Sequence, residues 1–447
     1  MLYRSWGSSS DEASDYTNSI HEDAEITEQV KLTMKAHVIS LFLSGTVDKP
    51  VTRDLIKAIN SFKEVKQGYE DVHEALEDHL IKEVGEPGGW VGLARSRNDH
   101  VATALRLKTR DLLDELLNSL LTLREALLSK AEENKEVIFP VYTHFQLAQP
   151  STLSHYLLYI EEELSSRWRN IFSELSQLNR SPLGSGAIVG TNLKVDRQKE
   201  ATMLGFDDIV YNTISATASR SDIISVVLEV ANLMVSMSRI AEDMVLLSSN
   251  MIDVVQLPDS HVSTSSLMPH KRNAVTMETL RAKAGLIIGE VTSILSIYKG
   301  TPSGYDLDLQ EMNLHYWNVL EEAIRAVKIL KSAISGMVVK REVMDVKSLS
   351  TDEAELTSIQ NKVPYRKAYF DVASRIKQGS YQSNLKPQDS IRMKAVIGSP
   401  NPDLITEEIK TKRKFLSQDR EKLTSFSLKV RNGMNLMKVI EDDLLQE

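Results

Sequence analysis

Three polar runs in this 447-residue chain combine residue types that can do chemistry. Ala94-Arg95-Ser96-Arg97-Asn98-Asp99 sets two guanidinium groups and an amide at the expected start of a long helix. Guanidinium groups clamp carboxylates through paired hydrogen bonds, and the free N–H groups of a helix start add to an anion site. The run Val141 to Pro150 (VYTHFQLAQP) holds a hydroxyl, the imidazole of His144 and two amides between helix breakers. A histidine so placed exchanges protons near neutral pH. The run Ser265 to Asn273 (SSLMPHKRN) gathers two serines, Lys271 and Asn273 directly ahead of another helix, and Glu278 inside that helix is placed to orient an imidazole.

Other signals carry less. Gly184-Ser185-Gly186 with Gly190 misses the dinucleotide pattern GxGxxG by one position, and no strand is expected before it, so a plain turn is predicted. His73-Glu74 begins a zincin motif, but Glu77 stands where the second histidine belongs. Glu70-Asp71-Val72-His73 is the only Glu-x-x-His, and a di-iron bundle needs two. His73 is therefore expected to be a hydrogen-bonded helix histidine, and no metal site is expected.

Composition narrows the field further. With no cysteine, disulfides, thiolate nucleophiles, iron–sulfur clusters and Cys-based zinc sites are excluded. Basic residues number 53 against 62 acidic ones, for a net charge of −9, and no Lys/Arg block offers a footprint for nucleic acid or anionic lipid. The expected partners are small molecules and copies of the chain itself. Residues 1–15 contain no apolar run of the signal-peptide kind. The apolar stretch Ile223 to Val235 is broken by Ser225, Glu229 and Asn232, which argues against a membrane span. A cytoplasmic location is expected.

Long helices must position the three runs. Proline is absent from 88–139, 183–257 and 303–363, and glycine from 93–183 and 206–284. Each breaks helices for its own reason, so their joint absence predicts uninterrupted helices. Leucines at 112, 116, 120, 123 and 127, with a second stripe at 113, 117, 121 and 128, predict burial on more than one side. Helices are predicted at about 99–134, 151–179, 221–252, 272–298 and 309–337. The three runs then fall at the helix breaks. The fold class is all-α: a central bundle over 96–345, flanked by smaller helical domains over 1–95 and 346–447.

At SSLMPHKRN the chain resembles the fumarase and aspartase superfamily, whose signature is GSSxMPxKxN. Together with ARSRND and THFQLAQP it is similar to the argininosuccinate lyase family, and the likeness continues through Pro182 to Ala187, Val195-Asp196-Arg197, Ala241-Glu242-Asp243, Tyr305 to Glu311 and Ser350 to Arg366. The resemblance implies a homotetramer whose helical core is built by all four chains, with each active site drawn from three of them. It implies reversible cleavage of argininosuccinate to arginine and fumarate with neither metal nor organic cofactor. Ser265 would be the proton-abstracting base on a mobile loop over 257–269, with Lys271 and Asn273 beside the oxyanion. His144, oriented by Glu278, would deliver a proton to the leaving group or fix a substrate carboxylate. Ser96, Arg97, Asn98, Thr143, Arg220, Tyr305 and Gln310 match substrate-contact positions, and Ser19 and Asp23 would read the arginine end.

Several positions depart from the family pattern. Thr264 replaces the glycine before the serines, and Ala274 replaces the proline after the signature asparagine. Gly92-Leu93-Ala94 stands for His-Thr-Gly, Asn313 for a lysine and Ser221 for an aspartate. The Met268 to Asn273 stretch also resembles adenylosuccinate lyase, and a structural crystallin role is known on the same fold. The other two motifs and the retained Ser265, His144, Lys271 and Glu278 favour the argininosuccinate pattern.

Overall fold

A computed structural model describes residues 11–63 and 68–446; residues 1–10, which carry most of the polar N-terminal segment, lie outside it. The principal helices are α1 (Thr27–Leu43), α2 (Lys49–Ser61), α3 (Val72–Val84), α4 (Arg97–Glu133), α5 (Leu153–Leu178), α6 (Ser221–Ser248), α7 (Val275–Tyr298), α8 (Asn313–Gly336), α9 (Ser350–Asn361), α10 (Tyr365–Lys377) and α11 (Pro402–Leu445). The five predicted long helices are α4 to α8, each within a few residues of its expected limits. Helix α4 starts at a capping box in which Ser96 and Asp99 satisfy each other's backbone N–H groups.

Both leucine stripes of α4 are buried apart from the half-buried Leu112, because α5, α8, α11 and α1 cover it on different sides. Helix α6 is long and apolar enough by composition to cross a membrane, despite its interrupting polar residues. Here α5, α7 and α8 pack around it, and most of its apolar window is buried.

Helix α11 has 44 residues and is the longest of the described helices; it lies within the expected C-terminal helical domain, where the charged, mixed sequence pattern marks no individual helix. Its Ile405, Ile409, Leu416, Leu423 and Phe426 join the same core as the bundle. Arg124 of α4 pins it: Nε donates to Glu161 Oε1 at 2.9 Å, Nη1 to Asp419 Oδ2 at 2.9 Å and Nη2 to Ser165 Oγ at 3.0 Å. Lys412 Nζ, 3.1 Å from Glu161 Oε2, completes a buried network with balanced charges.

Strands are few and short. The antiparallel pair β1 (Ile138–Thr143) and β2 (Gln146–Thr152) forms a hairpin where only a connection is predicted, with Pro140 opposite Pro150 at an irregularity in the ladder. A two-residue strand, Arg180–Ser181, does precede the Gly184 turn, contrary to expectation, but it pairs only with Asp208–Ile209. The turn itself is as predicted. His73 lies on α3 as expected, yet neither ring nitrogen has a hydrogen-bond partner among the described residues; burial, with the Arg95 and Arg97 charges, lowers its pKa and keeps it neutral, with its ring edge-on to His100.

The predicted site residues fall at two ends of the bundle. At one, Arg106 of α4 donates to Asp222 in the first turn of α6 at 2.8 Å and to the carbonyl of Leu178 at the end of α5, while Arg220 lies against Tyr298 at the end of α7. At the other, Lys130 of α4 donates to the Ser335 carbonyl at the end of α8, and Val255–Gln256 pairs with Val338–Val339 just beyond α6 and α8. Helix α6 spans these ends with 28 residues, or about 42 Å at 1.5 Å per residue.

Candidate active site

The predicted site residues separate between the two ends. At the α4 N-terminal end, Ser96 caps the helix and Arg97 is fixed by two carboxylates, with Nη1 3.0 Å from Glu70 Oε2 and Nε 3.1 Å from Asp71 Oδ2. Burial opposes the Arg97 charge, but Asp71, Tyr305 and Glu70 more than offset it and hold its pKa above the usual value. Asp71 also caps α3 by accepting from the Glu74 N–H at 2.7 Å. The motif that fails as a di-iron ligand set thus supplies the holders of a guanidinium. This role was missed, although Asp-x-x-Glu ahead of an apolar run is a helix-start signal.

Ser19 and Asp23 belong to the same end. The Ser19 N–H donates to the Glu70 carbonyl at 2.9 Å, and its hydroxyl donates to Asp23 Oδ2 at 2.9 Å. Burial and the Asp71 carboxylate push Asp23 from 3.8 up to about 7, against the Ser19 hydrogen bond. Tyr305 interacts electrostatically with both Arg97 and Arg220, and burial raises its pKa. Arg220 is 1% exposed; its Nη1 donates to the carbonyls of Thr217 and Ser219 at 3.1 Å, and burial lowers its pKa. Asn98 donates from Nδ2 to the Ala187 carbonyl at 3.0 Å. Gln310 follows Tyr305 in the short helix Asp308–Glu311, at the same end. Asn313, the first residue of α8, is buried.

The other end holds the hairpin and the signature run. Thr143 and Gln146 flank the hairpin tip, where His144 and Phe145 both have positive φ, at 53° and 58°. Two-residue hairpin turns of this hand are normally made by Asn-Gly, so a histidine and a phenylalanine there are strained. His144 opens onto a cavity of about 960 Å³ bordered by Tyr142, Tyr156, Asp243 and Arg341. No hydrogen bond joins His144 to Glu278 within the chain among the described residues.

The predicted loop over 257–269 is tethered at its base. His261 is buried, with one ring nitrogen 3.0 Å from Thr276 Oγ1 and the other 2.9 Å from Ser332 Oγ. A two-residue ladder, Ser263–Thr264 against Arg272–Asn273, then closes the loop. Arg272 reinforces it with a 2.7 Å contact to Asp259. What projects is the tip from Ser265 to Lys271. There Ser265 Oγ accepts the N–H groups of Leu267 at 3.2 Å and Met268 at 3.1 Å. Donors aimed at that oxygen favour its negatively charged form. Glu278 sits in the first turn of α7, just beyond Asn273.

Comparison with known proteins follows the same lines. A family model described as Lyase matches residues 11–289. The chain is 57% identical to argininosuccinate lyase of Sulfurisphaera tokodaii and 53% identical to that of Sulfolobus acidocaldarius, covering 100% of both sequences in each case. Among solved structures, EDDS lyase in complex with formate superposes with a TM-score of 0.86 at 21% identity, over 98% of this chain and 97% of that one, which shows a shared fold. The chain belongs to the argininosuccinate lyase family within the fumarase and aspartase superfamily.

Proposed function

We propose that this protein cleaves argininosuccinate reversibly to L-arginine and fumarate, as a cytoplasmic enzyme of arginine biosynthesis. The full-length identity to two argininosuccinate lyases carries this reading. Ser265 removes a proton from the carbon beside a substrate carboxylate. The electron pair passes into that carboxylate as an aci-carboxylate, then returns to form the fumarate double bond as the C–N bond breaks. The extra charge must be stabilised where it forms, a task that suits the loop N–H groups, Lys271 and Asn273. His144, set by Glu278, hands a proton to the departing guanidino nitrogen or fixes a carboxylate. No step calls for a metal or an organic cofactor.

The opposite end binds the rest of the substrate. Arg97 and Arg220 suit carboxylates, Ser19, Asp23, Ser96, Asn98, Tyr305 and Gln310 supply polar contacts to the arginine part, and Thr143 adds a hydroxyl beside His144. A substrate of roughly tripeptide size spans about 10 Å, so ends about 42 Å apart serve one molecule only if different chains supply them. We therefore propose a homotetramer with each site shared by three chains. Exposed Leu228 and Val235 on α6, and Leu286, Ile288 and Leu295 on α7, support it, since they leave an apolar face for another copy. We keep the division into 1–95, 96–345 and 346–447 as the working domain scheme.

Ser265→Ala tests the assignment. It should abolish turnover and leave the helical content and the assembly unchanged, because a half-buried hydroxyl on a projecting loop tip contributes little to packing. Normal turnover would remove Ser265 from the mechanism.

A further inference from the structure

The Gly184 turn and Asp99, which the reaction scheme leaves unused, form one unit with Asn98. Asp99 is fully buried and no cation pairs with it among the described residues. Its Oδ1 accepts the Ser96 N–H at 3.1 Å, and its Oδ2 accepts the Gly186 N–H at 3.0 Å. The Gly184 N–H also points to it. One carboxyl therefore ties the first turn of α4 to the turn over residues 184–190.

The turn can wrap the carboxyl only because of its glycines. Gly184 and Gly186 have φ of +77° and +61°, and a Cβ on Gly186 would lie 2.8 Å from the Gly190 carbonyl oxygen. The wrapped turn presents the Ala187 carbonyl to Asn98 Nδ2 at 3.0 Å. The sequence Gly-Ser-Gly, which fails as a nucleotide motif, thus serves as a cradle for a side chain.

We infer that Asp99 is a positioning residue for the reaction, fixing the Asn98 amide and the Ser96 cap toward substrate through the 184–190 turn. This rests on the assignment of Asn98 to substrate contact. Asn98→Ala tests that assignment by itself: a KM for argininosuccinate and a kcat both unchanged would remove it, whatever Asp99 does.

Steady-state kinetics of Asp99→Asn, and of the double variant with Asn98→Ala, test the inference. An amide in place of the carboxyl turns a donor toward either the Ser96 N–H or the N–H groups of the glycine turn, so one tie breaks. We expect kcat/KM to fall about tenfold or more, with KM rising. We expect the double variant to lie within about twofold of the worse single variant. A KM unchanged in Asp99→Asn, with only the active fraction reduced, would show a purely structural role and overturn the inference, as would losses that multiply. Should Asp99→Asn fail to fold, Gly186→Ala carries the test: it leaves the carboxyl in place and drives the turn off it. A folded Gly186→Ala with wild-type KM overturns the inference as well.

Discussion

Shared active sites make a quantitative prediction for mixed subunits. Ser265 and Arg97 sit at opposite ends of a bundle whose central helix has 28 residues, about 42 Å, and no rotamer or loop movement brings them to one small molecule. Take Ser265→Ala and Arg97→Lys as the two parents. Losing a proton-transferring group lowers turnover about 10²–10⁴-fold. The lysine keeps a cation beside Glu70 and Asp71 but loses the forked geometry that both carboxylates hold. Each parent should therefore retain about 1% of wild-type activity or less.

When the parents are unfolded together in equal amounts and refolded, chains assort at random in a symmetric oligomer. A site taking Ser265 from one chain and Arg97 from another is intact in about one quarter of cases. Fumarate release should rise to about a quarter of the wild-type rate, far above either parent. Native mass spectrometry of the pool would verify mixing. Verified mixed oligomers that stay at the parental level would mean that one chain supplies both residues, and the two-ended geometry would be the wrong basis for the site.

Three further outcomes can be checked separately. Arg124→Met leaves the buried Glu161 and Asp419 with one buried lysine, Lys412, and the exposed Lys422, so denaturant unfolding should show a loss of about 3–5 kcal/mol; a loss under about 1 kcal/mol would deny the network its role in holding α11. Phe145→Gly relieves a positive φ at a ring that is 84% exposed and should stabilise the protein by about 1 kcal/mol in thermal melts; a fall in Tm would contradict this and mean that the ring packs in the assembly. Stability against pH has two opposed contributions. Burial lowers His37 from 6.5 to about 3 and lowers His73 and His100 as well, so their share is present above pH 6.5 and is lost as pH falls toward the folded values. Burial raises Asp23 and Asp99 from 3.8 to about 7 and Glu200 from 4.5 to about 8, so their share is present below the unfolded values and is lost as pH rises. Between pH 4.5 and 6.5 the three histidines and three carboxyls offset one another. Glu200→Gln removes one carboxyl, and its stability should fall by about 1.4 kcal/mol more per pH unit of acidification than that of the wild type; parallel curves would contradict the assignment.

Much of the fold was legible because helix breakers act locally. The absence of proline and glycine located α4 to α8. The helical character of the C-terminal domain was legible but the single continuous helix α11 was not, because its charged surface hides the apolar stripe, although no proline follows Pro402 and Gly433 is its only glycine. The hairpin at His144 was hidden by its prolines and by the absence of an Asn-Gly turn. Site residues were legible where a motif is contiguous, as in SSLMPHKRN. The pairing of Arg97 with Glu70 and Asp71, and of Asp99 with the Gly186 N–H, was not, because partners 27 and 87 residues apart meet only once α3, α4 and the 184–190 turn have packed. The tether of the signature loop by His261 was missed for the same reason: its partners lie on two other helices.

The most direct test of the central claim is fumarate release by the purified protein, offered argininosuccinate and adenylosuccinate in parallel without added metal. We predict release from argininosuccinate alone. Release from adenylosuccinate alone would keep the fold and the Ser265 chemistry but refute the substrate assignment, and release from neither would contradict the proposed activity.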